Sequence, residues 1–469
     1  MKGKKEPVLQ GDLFKIRLSS ILNLQHELCL LADEINWEWI DKELNEYYSH
    51  TGRPSVPTRT MVGVLLLKQM HKESDETVIL RWVENPYWQY FTGETFFQYK
   101  PPFNPTDFVH FRKRVGEKGM EKILSLSVRL HCGSEVEEEV LVDTTVQEKN
   151  IAWPTDERLA MKIMKYCWAY AEAESVELRQ SYRRVVKNIR LQTHNANHPK
   201  RKKSAHKARK KIKLLAGRLV RDLKRKLSPE GLAAYGESLE LFEAILAQKP
   251  QDKDKRYSLH EPDVWCIAKG KAHKKFEFGC KVSVTRTSKT GVIVGMKNFK
   301  GNPYDGDTLA PSLAQTERIR KDANGTRPAI AIADRGYRGR KNIGGTAIMT
   351  PGKSQKTMNN YQKGRQRARF RNRAGIEPVI GHLKYDFKML RNYLSRSLGD
   401  AINCLLAGAA FNMKKRLNQL RTAFFGLIHM FLSAMRANIR QESLIFYVTK
   451  NYKPIFVTIN HSNSHYKIL

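Results

Sequence analysis

The sequence contains few acidic residues for its length. Its 469 residues include 83 lysines and arginines against 47 aspartates and glutamates, and the formal net charge is +36. A surplus of this size repels itself unless an acidic polymer neutralises it, and nucleic acid is the usual partner. An anionic membrane would be the competing partner, but the longest late apolar stretch, 423–435, contains His429 and is too short to cross a bilayer. We therefore expect a nucleic-acid partner and no membrane partner.

Cysteine is also scarce, and no cysteines have the spacing of a metal site. Six cysteines are scattered along the chain without a C-x-x-C pair or partnered histidines. This pattern argues against a zinc site and against a disulfide framework. The first residues lack the apolar core and cleavage site of a secretory signal. These absences fit a reducing compartment, so we expect the protein in the cytoplasm.

Helical periodicity dominates residues 1–130, which we predict to form an all-α DNA-binding domain. Ser74 or Asp75 can cap the second of two short amphipathic helices. Such a pair is compatible with a helix-turn-helix, which presents its second helix to a DNA groove, and equally with an ordinary helical hairpin. Farther along, Arg112 and Arg114 fall on a helix whose exposed positions would suit phosphate contacts.

Lysine and arginine crowd a second helical region, 154–258, which we predict to be a large insertion between strands. Between Lys200 and Lys226 the only acid is Asp222. Solvated helix faces normally mix charges of both signs. We therefore predict that this arm follows the phosphates of a nucleic acid. The lysines that we expect to contribute are Lys202, Lys203, Lys210 and Lys211.

Two aspartates lie in or directly after apolar strands. The β-branched run Val140–Val146 contains Asp143, and the apolar run Ala329–Ala333 is followed by Asp334. An unpaired aspartate buried in an apolar strand costs several kcal/mol, on the order of 2 to 7, so each must end a strand, be paired or bind a metal. If the two strands are neighbours in one sheet, the two carboxylates meet at its edge.

A third acid, Glu377, follows on a predicted helix and would bring three carboxylates together. Acids that converge repel each other unless cations neutralise them, and their hard oxygens suit Mg²⁺. Two such ions, about 3.5 to 4 Å apart, would hold the attacking and leaving oxygens of a phosphoryl displacement. Asp305 and Asp307 are rival acids, but a turn and a helix N-cap explain them adequately.

Three segments carry these acids: "LVDTTVQEKNI", "AIADRGYRG" and "RNRAGIEPVIGHLKYDFKMLRNYL". With the early segments "GRPSVPTRTMVGVLLLKQM" and "RWVENPYWQYFTGETFFQ", they resemble the DDE transposases of bacterial insertion sequences, in particular the group usually called "IS five". The resemblance extends to about residue 416. It implies an α/β fold, namely a ribonuclease-H-like mixed sheet with covering helices over 135–420, interrupted by the insertion at 154–258. It leaves 421–469 as a C-terminal tail of unknown role.

The same resemblance implies that Asp143, Asp334 and Glu377 form the metal-binding and catalytic triad. Around the third acid the related families have a signature of Tyr, Arg, Glu and Lys, and this chain gives Phe370, Arg373, Glu377 and Lys384 at the same spacings. On one continuous helix Arg373, Glu377 and Lys384 would share a face. Pro378 complicates this, because proline is comfortable only in a first turn, so the helix begins or kinks near Gly375.

The cofactors implied by the resemblance are two Mg²⁺ or Mn²⁺ ions, and the partners are the element's terminal inverted repeats and a target DNA. Arg335 and Arg338 border the second acid and are further candidates for phosphate contacts. A homodimer or larger synaptic complex follows, because two element ends must be joined, and the site of action would be the bacterial nucleoid. Two alternatives stay open: a metal-dependent nuclease without strand transfer, and a DNA-binding protein without catalysis.

Overall fold

The computed structural model describes residues 1–2, 15–49, 51–131, 137–193, 198–249, 251–268, 274–352 and 358–438, together with 457–458 and 467–468. Only the backbone is described for 423–438 and for the last two segments. The chain divides into two compact units, one of residues 1–111 with 410–469, the other of residues 112–409. Most of the predicted tail, 421–469, lies outside the described residues. No described helix is both long enough and apolar enough to cross a membrane.

The first unit is helical. Its helices are α1 (Leu18–Ile21), α2 (Glu27–Glu34), α3 (Trp37–Glu43), α4 (Thr58–Met70), α5 (Asp75–Glu84), α6 (Pro86–Phe91) and the start of α7 (Pro105–Arg129). Helix α4 is buried along almost its whole length and forms the centre of this unit. Ser74 caps α5 as predicted, since its hydroxyl accepts from the Thr77 N–H and the Thr77 side chain accepts from Ser74 in return.

The second unit contains one mixed sheet of eight described strands. The strands are β1 (Glu139–Lys149), β2 (Trp265–Ala268), β3 (Phe276–Thr287), β4 (Ile293–Phe299), β5 (Ile330–Ile332), β6 (Asn342–Ile343), β7 (Thr346–Met349) and β8 (Arg391–Asn392). The main order is β2-β3-β1-β5-β7-β6, with β4 paired to β3 and β8 paired to β1. β1 runs antiparallel to β3 and parallel to β5. The long central pair β1 and β3 therefore anchors the sheet.

Helices interrupt and cover this sheet, and of the last helix only residues 396–409 belong to this unit. They are α8 (Asp156–Ala173), α9 (Arg183–Thr193), α10 (Lys202–Lys226), α11 (Pro229–Ala247), α12 (Asp305–Asp322), α13 (Asn360–Arg373), α14 (Ile376–Tyr385) and α15 (Arg396–Asn438), and two short strands follow, β9 (Val457–Thr458) and β10 (Lys467–Ile468). Helices α8 to α11 share a separate apolar core that includes Ile163, Ile212, Leu219 and Phe242. The arrangement confirms the predicted ribonuclease-H-like mixed sheet with covering helices and a helical insertion after its first strand.

The described cysteines are spread over both units and are mostly buried. Cys29, Cys167, Cys266, Cys280 and Cys404 are all free thiols, and all but Cys266 are buried. Burial raises the pKa of the Cys167 thiol to about 12, so this thiol stays protonated and unreactive at neutral pH. Cys132 lies outside the described residues.

Candidate functional site

Asp143 and Asp334 occupy equivalent positions on two adjacent parallel strands. Leu141 of β1 pairs with Ile332 of β5, and the two aspartates follow these residues by the same interval of two. Residues two apart on a strand point to the same face. Asp334 then leaves the strand as the cap of a short 3₁₀ turn, Arg335–Tyr337, and its Oδ1 accepts from the Gly336 N–H at 2.7 Å. The sheet therefore brings together two acids that are far apart in sequence.

A gap in the strand pairing opens beside Asp143. On the side of β1 away from β3, β5 pairs only as far as Leu141, and β8 pairs only with Glu148 and Lys149. No other strand pairing is described along that side of β1, so the residues between these two points face other side chains and helices instead of a neighbouring strand. Asp143 stands near the start of this gap. Its side chain is 18% exposed.

Glu377 lies on a helix that packs against the same two strands. Ile376, the first residue of α14, is buried against Leu141 and Ile332, and Ile380 packs on the same cluster. Glu377 is the second residue of the helix and is exposed. The helix thus begins next to the strands that carry Asp143 and Asp334.

Arg373 does not share a helix with Glu377 and Lys384, in agreement with the helix start near Gly375 that Pro378 indicates. Arg373 ends α13, and α14 starts afresh at Ile376 with Gly375 as its N-cap. Pro378 falls in the first turn of α14, where its missing N–H costs no hydrogen bond. A Cβ on Gly375 would come within 2.9 Å of the Arg286 guanidinium, so this junction favours glycine. Only Glu377 and Lys384 share α14.

Arg373 nevertheless reaches the first acid. Its Nη1 lies 3.3 Å from Asp143 Oδ2, and each side chain is about one-fifth exposed. Lys384 is half-buried, two turns along α14 from Glu377. Arg335 and Arg338 are exposed on either side of the turn after Asp334. Of these four basic residues, Arg373 is the one with a described contact to an acid of the triad.

Asp305 is a residue whose place the sequence reasoning missed. It is the first residue of α12, and its Oδ1 accepts from the Thr144 hydroxyl at 2.9 Å and from Lys281 Nζ at 3.0 Å. Its carboxylate therefore contacts the neighbour of Asp143 instead of capping the helix. The predicted N-cap role is wrong for Asp307 as well, since the N-cap of α12 is Tyr304, and the Asp307 side chain is 62% exposed and pairs with Arg340. Nothing local in the sequence separates these two aspartates.

Tyr337 lies among the same acids. It is 1% exposed, and its hydroxyl is buried without a hydrogen bond of normal geometry in the described part of the chain. Burial, and then the negative charges of Asp143 and Asp305, raise the pKa of Tyr337 far above its ordinary value. The hydroxyl is therefore a protonated group that can donate a hydrogen bond next to the carboxylates.

The donor chemistry of this cluster fits a hard divalent ion. Carboxylate oxygens are the ligands that Mg²⁺ and Mn²⁺ prefer, and the buried Tyr337 hydroxyl is a polar atom in need of a partner. Among the described residues, no three Asp, Glu, His or Cys side chains converge closely enough to hold one ion between them. In this arrangement Arg373 forms an ion pair with Asp143, and Lys281 forms one with Asp305. Arg373 would have to release Asp143 for a metal to bind there.

The candidate phosphate-binding residues outside this cluster are mostly exposed. Lys202, Lys203, Lys210 and Lys211 all lie exposed on α10, and Arg114 is exposed on α7. Arg112 is different, because only 6% of it is exposed, so the prediction of an exposed position is wrong for this residue. Its neighbour Phe111 is also buried, and Val115 follows on the same covered side of the helix.

The insertion also gathers arginines that the sequence reasoning did not single out. A cleft beside α10 is lined by Arg179, Arg218, Arg221 and Arg225, with Asp222 at its base. Asp222 Oδ2 accepts from the Arg179 N–H at 2.9 Å, which ties the segment before α9 to α10. The helical spacing of Arg218, Arg221 and Arg225 could have indicated this face.

Comparisons with known proteins identify the family of the chain. A family described as "Transposase domain (DUF772)" matches residues 16–114, and a family described as "Transposase DDE domain" matches residues 246–413. A curated relative, "Uncharacterized protein ORF8 in nfe locus" from Rhizobium meliloti, is 43% identical over 194 residues, which are 40% of this chain and 94% of the relative. No solved structure matches the chain. Asp305, Asp334 and Glu377 fall inside the second match, whereas Asp143 lies between the two. The chain belongs to the DDE transposase family of insertion sequences.

Proposed function

We propose that this protein binds the terminal inverted repeats of its element and catalyses metal-dependent cleavage and strand transfer of DNA. The observation that carries the proposal is the placement of Asp143 and Asp334 on adjacent parallel strands, with α14 and Glu377 packed beside them. Family membership supports the substrate class, since transposases act on DNA. The net charge of +36 supports binding to a polyanion.

Asp143, Asp334 and Glu377 would hold the ions, which are Mg²⁺ or Mn²⁺, two per site. When bound, such ions activate an attacking oxygen and stabilise the leaving oxygen of an in-line displacement at phosphorus. A water molecule attacks in the cleavage step, and a DNA 3′-hydroxyl attacks in strand transfer. In both, a new P–O bond forms, the bond from phosphorus to the 3′ oxygen breaks, and that oxygen leaves and takes up a proton.

The basic residues around the acids position the scissile strand. Arg373 offers a planar guanidinium that can form two parallel bonds to a phosphate, once it releases Asp143. Lys384, Arg335 and Arg338 would contact neighbouring phosphates. These contacts carry no sequence information, so they would hold any strand whose end the rest of the protein has selected.

The exposed lysines of α10 and Arg114 of α7 would follow the DNA away from the chemistry. Arg112 is excluded from this role because it is buried. Since two element ends must be joined, the protein would act as a homodimer or larger synaptic complex, and it would work at the bacterial nucleoid. The helical unit around α4 and α5 would supply recognition of the terminal repeats.

The test is cleavage of a DNA duplex that carries the element's terminal repeat, in Mg²⁺, followed by strand transfer from a duplex with pre-cut ends. Asp143→Asn, Asp334→Asn and Glu377→Gln should each abolish both reactions while DNA binding, measured by gel shift, persists. Asp307→Asn is the matched control, since Asp307 is exposed and lies outside the cluster, and it should react like the wild type. Cleavage without strand transfer would support a nuclease instead. Reaction rates unaffected by Asp143→Asn would overturn the catalytic assignment.

A further inference from the structure

Asp305 is held in one orientation by two donors. Its Oδ1 accepts from the Thr144 hydroxyl at 2.9 Å and from Lys281 Nζ at 3.0 Å. Lys281 is almost fully buried and also donates to the Pro303 carbonyl at 2.6 Å, so it cannot swing away freely. Because Thr144 directly follows Asp143 on β1, this contact ties the start of α12 to the strand that carries the first acid.

The other oxygen of Asp305 faces Asp334. A Cβ built on Gly336 would lie 3.0 Å from Asp334 Oδ1 and 3.3 Å from Asp305 Oδ2. The two carboxylates therefore approach the same point, from a strand end on one side and a helix start on the other. Oδ2 of Asp305 accepts no hydrogen bond from any described residue. This oxygen is thus held in place and available.

Tyr337 provides an independent sign that a ligand belongs here. The ring is buried at the end of the short turn that Asp334 caps. Its hydroxyl makes no hydrogen bond of normal geometry to a described residue. Leaving a buried hydroxyl unsatisfied is unfavourable, because it loses its hydrogen bonds to water without gaining others. A hydrated ion between the carboxylates would give this hydroxyl an oxygen to which it can donate.

Asp334 differs from the other two aspartates in its partners. Asp143 forms an ion pair with Arg373, and Asp305 forms one with Lys281. Asp334 takes its hydrogen bond from a backbone N–H and makes no ion pair with a described residue. Like charges in a partly buried cluster are costly unless a cation joins them. If Asp305 served only as the ion-pair partner of Lys281, one of its two carboxylate oxygens would be enough.

We propose that Asp305 is a fourth carboxylate of the metal site, which binds the ion at Asp334 through Oδ2 while Thr144 and Lys281 fix its orientation. The inference rests on the proposed function, because it requires that Asp143 and Asp334 hold a divalent ion. It assigns a ligand beyond the triad, and it gives the loop before α12 a part in the site.

The test is Mn²⁺ binding to the full chain without DNA, measured by isothermal titration and by the loss of the free-ion signal in electron paramagnetic resonance. Asp305→Asn should raise the dissociation constant of Mn²⁺ about tenfold or more, the order found when support of a metal site is lost. Asp307→Asn, two residues along the same helix, should leave the constant unchanged, because its side chain is 62% exposed and paired with Arg340.

Asp305→Glu separates a ligand from a mere partner of Lys281. Glutamate keeps the negative charge for Lys281 but displaces the oxygens by one methylene. We expect its thermal unfolding to match that of the wild type, while Mn²⁺ binding stays weakened. If Asp305→Asn does not fold, Mn²⁺ binding by Asp305→Glu alone tests whether Asp305 is a ligand.

The outcomes are distinct. If both Asp305 variants bind Mn²⁺ as the wild type does while Asp334→Asn does not, the fourth ligand is excluded and the proposed function stands. If the wild type itself binds no Mn²⁺ at these residues, the metal site of the proposed function fails, and this inference fails with it.

Discussion

Arg373 lies 3.3 Å from Asp143, which joins the last residue of α13 to the middle of β1. The pair spans 230 residues of sequence. In this arrangement a guanidinium holds the carboxylate that the proposed function gives to a metal ion. The junction between α13 and α14, which separates Arg373 from Glu377, is what lets the arginine reach the strand while Glu377 stays on the next helix.

Replacing Arg373 should therefore strengthen metal binding in the absence of DNA. In Arg373→Gln the guanidinium no longer competes for Asp143, and a neighbouring positive charge is removed from the cation site. We expect the dissociation constant of Mn²⁺ to fall by a factor of about 2 to 5, because an exposed or half-exposed charge contributes about 1 kcal/mol or less. DNA cleavage should slow, since a phosphate contact is lost. Titration calorimetry measures the first effect and a cleavage assay the second.

The control for this prediction is Arg371→Gln. Arg371 lies two residues earlier on α13 and is exposed. The Arg371→Gln substitution removes the same charge without affecting a contact of Asp143, so Mn²⁺ binding should stay close to that of the wild type. Equal effects of the two substitutions would mean that only net charge matters and that the contact with Asp143 does not compete with the ion.

Gly336→Ala should damage the site without unfolding the protein. The new methyl would meet Asp334 Oδ1 at 3.0 Å and Asp305 Oδ2 at 3.3 Å, so the carboxylates must shift by a few tenths of an ångström. We expect Mn²⁺ affinity to fall several-fold, with the unfolding midpoint close to that of the wild type. Gly381→Ala on α14 is the control, because its Cβ meets open space and should add about 0.4 to 1 kcal/mol of stability. Unchanged Mn²⁺ binding in Gly336→Ala would argue against a site between these carboxylates.

The elements themselves were largely predictable from the sequence. The β-branched run around Asp143 and the apolar run before Asp334 are strands, because alternating or continuous apolar residues favour them. The break between α13 and α14 near Pro378 was also predictable, since proline fits only the first turn of a helix. The pattern left open whether the helix restarts or only kinks at this point, and therefore whether Arg373 belongs to the helix of Glu377. That depends on the packing of Gly375 against Arg286.

The contacts that build the site were less predictable, because they are not local. Asp305 meets Thr144 across 161 residues, and the sequence around it reads equally well as a helix start. The prediction that Arg112 is exposed failed for a similar reason. A helical pattern shows which residues share a face, but only the tertiary structure decides which face is covered. Sequence reasoning therefore finds acids and bases more readily than it finds their partners.

The basic arm of the insertion should set the salt dependence of DNA binding. Each lysine that contacts a phosphate contributes about 0.9 to the slope of log affinity against log salt concentration. The pair variant Lys210→Gln and Lys211→Gln should lower that slope by up to about 2, and the pair Lys202→Gln and Lys203→Gln should act alike. These residues are exposed on α10, so stability should not change.

A double substitution outside α10 is the control for the basic arm. Lys118→Gln and Lys321→Gln remove the same charge from exposed positions on α7 and α12. If this pair lowers the slope as much as the α10 pairs do, the arm does not track phosphates and only the total charge of the protein matters. Fluorescence anisotropy with a labelled duplex at several salt concentrations gives the slopes.

Lys149 should be critical for the stability of the sheet. Its side chain is 3% exposed, and its Nζ lies 2.8 Å from Asp400 Oδ1 and 3.4 Å from Glu261 Oε2. Lys149→Met leaves two buried carboxylates without their cation, which costs about 3 to 5 kcal/mol when one partner of such a group is lost. Lys274→Met removes the exposed partner of Glu148, the residue just before Lys149, and should cost less than about 1 kcal/mol. Urea unfolding of the three proteins measures the difference.

The same network predicts how that loss depends on pH. Burial raises the pKa of Asp400, and the charge of Lys149 opposes the rise. In Lys149→Met the opposing charge is gone, so folded Asp400 holds its proton more tightly than an unfolded aspartate, which titrates near pH 3.9. The unfolded state then binds fewer protons than the folded state, and the free energy of unfolding falls as pH rises above about 4. The gap between variant and wild type should therefore widen from pH 4 to pH 7. A gap that narrows over this range would mean that Lys149 does not stabilise the charged form of Asp400.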